Sequence, residues 1–311
     1  MKRLNREAYQ RAREFLLTQA RPLERTLFAT HFEDGERESV FDELARFQNA
    51  DGGYGRALEP DVRTPSSSAL ATGIALALLR ELDCPAGHPQ VSRAVRYLQK
   101  TFDENARVWR VVPLNTNDHP HAPWWHDENG SLARAFDGFR VIPRALILAS
   151  FWHYAPLVPG EWLNDLTEET VSYIETVEAF GEGGGSDLEY TVGLAEAQNL
   201  PSSYAARLKA RILRDLPVVV ERDPEKWSGY CITPLRAVRS PNAPGADCIP
   251  EALQMHLDYQ IEHQSADGAW DPTWSWGGFY PDTWPQARQE WRGHLTLETL
   301  MNLHAFGRMV G

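Results

Sequence analysis

The chain is poor in cysteine: Cys84, Cys231 and Cys248 are the three in 311 residues, and no two form a CxxC pair. That spacing argues against a disulfide framework and against the common zinc-finger and haem-attachment motifs. Long apolar runs are missing too. No stretch approaches the roughly 18 apolar residues that a membrane span needs. The opening segment MKRLNREAYQRAREF is charged and amphipathic and lacks the apolar core of a secretion signal, so the expected setting is cytoplasmic. Basic residues are outnumbered, 31 against 43 acidic, for a net charge of -12. Nucleic acid and anionic membrane surfaces are therefore not the expected partners. Phosphate-cradling GxxxxGK loops, GxGxxG, GxSxG and HExxH are all absent.

Tryptophan, in contrast, is abundant, with 11 residues. Indole at that density points either to an aromatic-lined cavity or stacking platform, or to plain core packing. The rest of the chain is patterned for helices. Val91, Val95, Leu98 and Phe102 make one apolar stripe, with Arg93, Arg96 and Lys100 on the wet side. Tyr204, Leu208, Ile212 and Leu216 repeat the arrangement, and so do Leu163, Leu166, Val171, Ile174 and Val177. Against these stand segments that are apolar nearly all round: Ala69–Leu79, Ile142–Trp152 and, less purely, Leu188–Ala197. A helix without a polar face must be surrounded by protein.

Half-wet and fully buried helices in alternation are what two concentric rings of antiparallel helices produce. The expectation is an all-α fold, an α/α toroid of about five to six helical hairpins, forming one domain over residues 1–311. Links from buried to half-wet helices are mostly short. The return links at Asn49–Ser66, Asp103–Val141 and Ala266–Pro285 are long and rich in Trp, Pro and Gly. Such loops are usually functional, and the antiparallel order gathers them at one mouth. Glu182–Gly185 reads as a helix stop and turn rather than a linker.

One turn occurs twice. Gln48-Asn49-Ala50-Asp51-Gly52-Gly53-Tyr54-Gly55 returns in degenerate form as Gln264-Ser265-Ala266-Asp267-Gly268-Ala269-Trp270. This QxxDGG-aromatic turn resembles the QW-type motif of the terpenoid cyclase and protein prenyltransferase superfamily. The stretch Phe47–Leu79 is similar to the squalene-cyclase-type repeats of short bacterial proteins. The resemblance covers roughly 35 residues at each end of the chain. It implies an α/α toroid, in which the motif glutamine caps helix ends and the aromatic ring packs on the neighbouring repeat. It also sets expectations this chain does not meet. The DxDD acid motif of squalene cyclases and the DDxxD magnesium motif of class I terpene synthases are both missing. Asp247, Cys248 and His294 are the nearest match to the prenyltransferase zinc ligands, but adjacent Asp and Cys have the wrong spacing, so no metal and no cofactor are expected.

Three places carry candidate chemistry. Glu59 and Asp61, two apart across Pro60, follow the first turn; burial against aromatics and a neighbouring carboxylate would make one of them a proton donor at neutral pH. The competing role is pairing with Arg56, Arg63 or helix N–H groups. The loop from Asp118 to Asp127 holds His119, His121, His126, Trp124 and Trp125, with Asp118 or His121 as hydrogen-bonding groups and no recognised metal spacing. The third loop holds Asp271, Trp274, Trp276 and Trp284, with Asp271 as a second acid. Trp faces suit carbocations, sugar C–H faces or apolar tails alike. Tyr54 and His294 complete the expected ligand-binding set, His294 facing the interior if the last helix packs through Leu297, Leu300 and Met301.

The leading expectation is binding of an apolar isoprenoid-like small molecule, with acid-catalysed cyclisation or isomerisation by Glu59, Asp61, Asp271 or His121. Its rivals are a glycan-active hydrolase or lyase using the same carboxylates, and a non-catalytic binding or scaffold protein. Self-association as a homo-oligomer stays open.

Overall fold

In the computed structural model, described for residues 1–132, 140–178 and 186–310, the chain is all-helical. Among the described residues 58% are helical, twelve α-helices with short 3-10 turns between them, and no strand forms. The glycine-rich turn expected at 182–185 and part of the long 103–141 link lie outside the described residues. The chain divides into two compact units. Unit 1 comprises residues 1–43 and 213–310, and unit 2 comprises residues 44–132, 140–178 and 186–212.

In unit 2 the segments that are apolar all round form the centre. Helix α4 (Ala69–Glu81) starts at Ser68, whose hydroxyl accepts the Ala71 N–H at 3.0 Å, and nearly its whole circumference is buried. It packs on α6 (Arg144–His153), and α6 packs on α8 (Ser186–Ala195). Gly73 allows the close approach: a Cβ there would lie 3.1 Å from the Leu146 side chain. The amphipathic helices α5 (Pro89–Thr101) and α7 (Gly160–Thr176) lay their apolar stripes on α4 and α6 respectively. Tryptophan contributes here as packing: Trp109, Phe102, Phe151 and Trp162 meet edge-to-face or tilted at centroid distances of 4.6 to 6.1 Å. Helix α9 (Ser202–Val219), of which residues 202–212 belong to unit 2 and the rest to unit 1, bears the stripe predicted from Tyr204 to Leu216, and Leu208, Ile212 and Leu216 are fully buried.

Unit 1 is built on the long helix α12 (Trp284–Ala305), which packs on α1 (Arg6–Gln19) and α2 (Pro22–Phe32). Gly293 again marks the closest contact, its absent Cβ falling 3.1 Å from the Ala20 Cβ. A short helix α10 (Pro234–Ala237) packs on α11 (Pro250–Glu262), and α3 (Arg37–Ala45) ends at the first turn motif. The two ends of the unit pair: the Leu4 N–H donates to the Arg308 carbonyl at 2.8 Å, and the Val310 N–H to the Leu4 carbonyl at 3.0 Å.

Each unit holds one copy of the repeated turn, wired alike. The Gln48 amide donates to the Gly52 and Gln90 carbonyls at 2.9 and 3.0 Å, and Arg93 donates to its oxygen. The Gln264 amide donates to the Gly268 and Ala8 carbonyls, both at 2.9 Å, and Arg11 donates to its oxygen at 3.1 Å. Gly52 and Gly268 both have φ +95°. The N–H groups of Tyr54 and Trp270 donate to Thr72 and Thr296 hydroxyls at 2.9 and 3.1 Å.

Candidate functional site

The residues after the first turn enter an unusual backbone. Arg56 and Ala57 have φ of +57° and +60°, two consecutive side-chain-bearing residues in the left-handed region. Each costs about 1–2 kcal/mol relative to ordinary backbone. Tight turns follow, with the Leu58 N–H on the Gly55 carbonyl and the Val62 N–H on the Glu59 carbonyl, both at 3.1 Å. The outcome is that Glu59 and Asp61 are both buried, Asp61 at 2% exposure.

A second loop, almost sixty residues on, clasps this one. Val62 and His121 form an antiparallel bridge; the Arg63 N–H donates to the Pro120 carbonyl at 3.1 Å and the Ala122 N–H to the Asp61 carbonyl at 2.9 Å. Asn115 ties the same loops through side chains, donating to the Ser66 hydroxyl at 3.0 Å. The acidic stretch at Glu59–Asp61 and the His- and Trp-bearing loop thus meet within unit 2.

His121 has no solvent exposure. Its Nδ1 lies 2.6 Å from the His119 carbonyl and must donate to it, since a carbonyl only accepts. In the neutral form Nε2, 3.0 Å from His126 Nδ1, is left as an acceptor, so that tautomer suits both contacts. Burial is the main reason the His121 imidazole titrates below its ordinary range, and the adjacent His126 adds to it. Trp125 is buried, Trp124 is exposed at 39%, and Asp118 is exposed. Tyr54 is wholly buried and its hydroxyl donates to Gln90 Oε1 at 2.9 Å; burial pushes this phenol well above its ordinary range.

The remaining candidates belong to unit 1. Asp271 accepts from the Ser265 hydroxyl at 3.0 Å and from Arg288 at 2.5 Å, and lies 3.1 Å from Arg292 Nε. Trp276 is buried beside Trp284 and Tyr280. Trp274 sits edge-on to Trp291 at 5.0 Å, and its indole N–H has no acceptor among the described residues. His294 lies 5.6 Å from the Trp291 ring and is exposed, although α12 does pack through Leu297 and Leu300. The expected inward imidazole is thus an outward one, because the buried stripe runs through Glu290, Gly293, Leu297 and Leu300.

Sequence reasoning passed over a buried acidic pair in unit 1. Glu24 is 2% exposed and Glu290 is also buried; Arg21 Nε donates to Glu24 at 2.9 Å, and Gln286 donates to Glu290 at 3.0 Å. A signal was available. Glu24 shares the stripe of Leu27 and Phe28 at i, i+3 and i+4, and Glu290 that of Ala287 and Gly293. Among the described residues no group of three or more His, Cys, Asp or Glu is arranged to hold a metal ion, and no helix is long and apolar enough to cross a membrane. No family model, curated protein or solved structure matches this chain.

Proposed function

We propose that the clasped loops of unit 2 bind an apolar, isoprenoid-like small molecule, and that Glu59 or Asp61 supplies the proton for its cyclisation or isomerisation. One observation carries this reading. Two buried carboxylates and a buried neutral imidazole are held on paired loops, beside Trp124 and Trp125, by a backbone that spends strain at Arg56 and Ala57. Strain of that kind concentrates where a site needs a fixed geometry. In this reading a carboxylic acid protonates an alkene, and indole faces stabilise the cation that forms. The toroid belongs to the same proposal. It rests on the alternation of buried and half-wet helices and on the twice-used turn. The aromatic loop of unit 1 offers a second surface of similar character, in which the buried Trp274 indole N–H lacks an acceptor among the described residues.

The test is a thermal-shift series with polyprenyl alcohols and squalene beside a set of oligosaccharides, since a ligand that binds the folded state raises the melting temperature. The expected result is a shift with an isoprenoid that Trp124→Ala abolishes, and product formation from that ligand that Glu59→Gln or Asp61→Asn abolishes. A shift confined to oligosaccharides would replace this reading with glycoside chemistry at the same carboxylates. No shift with either class would sink both and leave a scaffold.

A further inference from the structure

Away from the clasped loops, unit 2 gathers three guanidinium groups around one carboxylate. Arg107 reaches Glu169 Oε2 with Nε at 3.1 Å and Nη2 at 3.0 Å. Arg140 Nη1 lies 3.4 Å and Arg144 Nη1 3.2 Å from Glu169 Oε1. Glu104, on the solvent side at 61% exposure, takes the Arg107 Nη1 at 3.1 Å. Among the described residues, three positive charges therefore meet two negative ones in a chain whose net charge is -12.

Arg144 is the member that an ordinary ion pair does not explain. Its side chain is 1% exposed, its Nη2 donates to the Arg107 carbonyl, and its Nε has no acceptor among the described residues. It is also the first residue of α6, whose cap residue Pro143 offers no side-chain acceptor. A cation in the first turn opposes the helix dipole, so the positive helix end adds to the surplus instead of offsetting it. Desolvation, reinforced by the neighbouring Arg140 and Arg107, holds the Arg144 guanidinium below its ordinary range, against the pull of Glu169. An internal salt bridge needs one arginine. A buried guanidinium with a spare donor, two further arginines and an uncapped helix start is an arrangement short of one anion.

We propose that Arg107, Arg140 and Arg144 form a binding site for a phosphate-type oxyanion, which supplies the missing negative charge beside the internal counterion Glu169. Phosphate suits the cluster because a tetrahedral group turns its oxygens in several directions and can face more than one guanidinium fork at once. Arg107 and Arg140 are 32% and 45% exposed, which leaves the site open to solvent on the side away from Arg144. The site stands independently of the reading of the clasped loops.

Calorimetric titration of the full chain at constant ionic strength tests it, using inorganic phosphate, inorganic pyrophosphate and a short alkyl monophosphate, with chloride as the balancing salt. Saturable binding of at least one is expected. Arg140→Gln and Arg107→Gln should each weaken it about tenfold or more, while Glu169→Gln, which removes the competing carboxylate, should tighten it severalfold. The opposite signs separate a ligand site from a structural ion pair, whose loss only destabilises; circular dichroism of each variant confirms the fold. Tighter binding of the ester than of inorganic phosphate assigns the site to a phosphorylated small molecule, and equal binding to free phosphate. The proposal is overturned if none of the three binds saturably to either the wild type or Glu169→Gln. Affinity unchanged in both arginine variants overturns it equally.

Discussion

The turn at Gln48–Tyr54 and the turn at Gln264–Trp270 are one device used twice, and they part company immediately afterwards. In both, a glutamine bridges its own turn to a carbonyl near the start of a helix, an arginine three residues further along that helix braces the glutamine, and a threonine holds the aromatic N–H. Beyond the shared part the carboxylates are treated in opposite ways. The unit 2 copy runs through two left-handed residues into Glu59 and Asp61, which it buries. The unit 1 copy leads straight into Asp271, which stays partly exposed and is held by Arg288 and Arg292. The turn is therefore architecture, and what distinguishes the units chemically is the few residues that follow it.

The glycines give the sharpest test of that equivalence. At φ +95° a Cβ on Gly268 would fall 2.3 Å from the Arg11 carbonyl carbon, and one on Gly52 would fall 2.6 Å from the Arg93 carbonyl oxygen. Both neighbours are backbone and cannot step aside. Gly268→Ala and Gly52→Ala should each cost about 3 kcal/mol or more, Gly268→Ala the more, as read from urea midpoints. Tolerance of either would end the claim that the two turns are the same. Next come the glutamines. Gln48→Ala and Gln264→Ala each remove two bonds to backbone carbonyls, and each should cost about 2 kcal/mol, equal to within about 0.5 kcal/mol.

Acidity should set the units against each other. His256 in unit 1 is buried against Trp227, and desolvation drives its imidazole down to about 3. The unfolded chain then binds a proton that the folded one does not over the range from the ordinary imidazole value, about 6.5, down to about 3, so stability falls with pH there. Between pH 7 and about 5 this contribution weakens unit 1 by roughly 2 kcal/mol. Asp187 in unit 2 is pushed up to about 6 by burial, so its folded form holds the proton longer than the unfolded chain does. Its contribution to stability is greatest below the ordinary carboxyl range and is lost as pH rises through about 6. Hydrogen exchange at the two pH values, corrected for intrinsic rates, should show protection shifting toward unit 2 on acidification. His256→Asn and Asp187→Asn should each remove one side of the effect. The smallest change expected is Tyr54→Phe, which deletes the 2.9 Å bond to Gln90 and should cost about 1 kcal/mol in the same urea assay.

Local pattern carried most of what was legible in the sequence. Ala69–Leu79 and Ile142–Trp152 announce buried helices because no polar face interrupts them, and α4 and α6 lie within a few residues of those bounds. The stripe from Val91 to Phe102 likewise becomes α5. Pairings across long separations left no local trace. Nothing near Val62 predicts that His121 lies opposite it, nor does anything near Gln264 name Ala8. His294 misled for a related reason: its helix buries the stripe expected, but the register of that stripe passes one residue to its side, at Gly293. The burial of Glu59 and Asp61 depends on left-handed backbone at Arg56 and Ala57, which neither residue type favours on its own.

The pairing of Leu4 with Arg308 has a consequence for synthesis. All of unit 2 lies between residues 44 and 212, so it has left the ribosome long before the residues that close unit 1 are made. Unit 1 must hold helices α1 and α2 in waiting, with their buried faces Phe15, Leu16, Leu27 and Phe28 uncovered, until α12 and the segment around Arg308 emerge. The interval in which that apolar surface stands open is the period when this chain is most prone to aggregate.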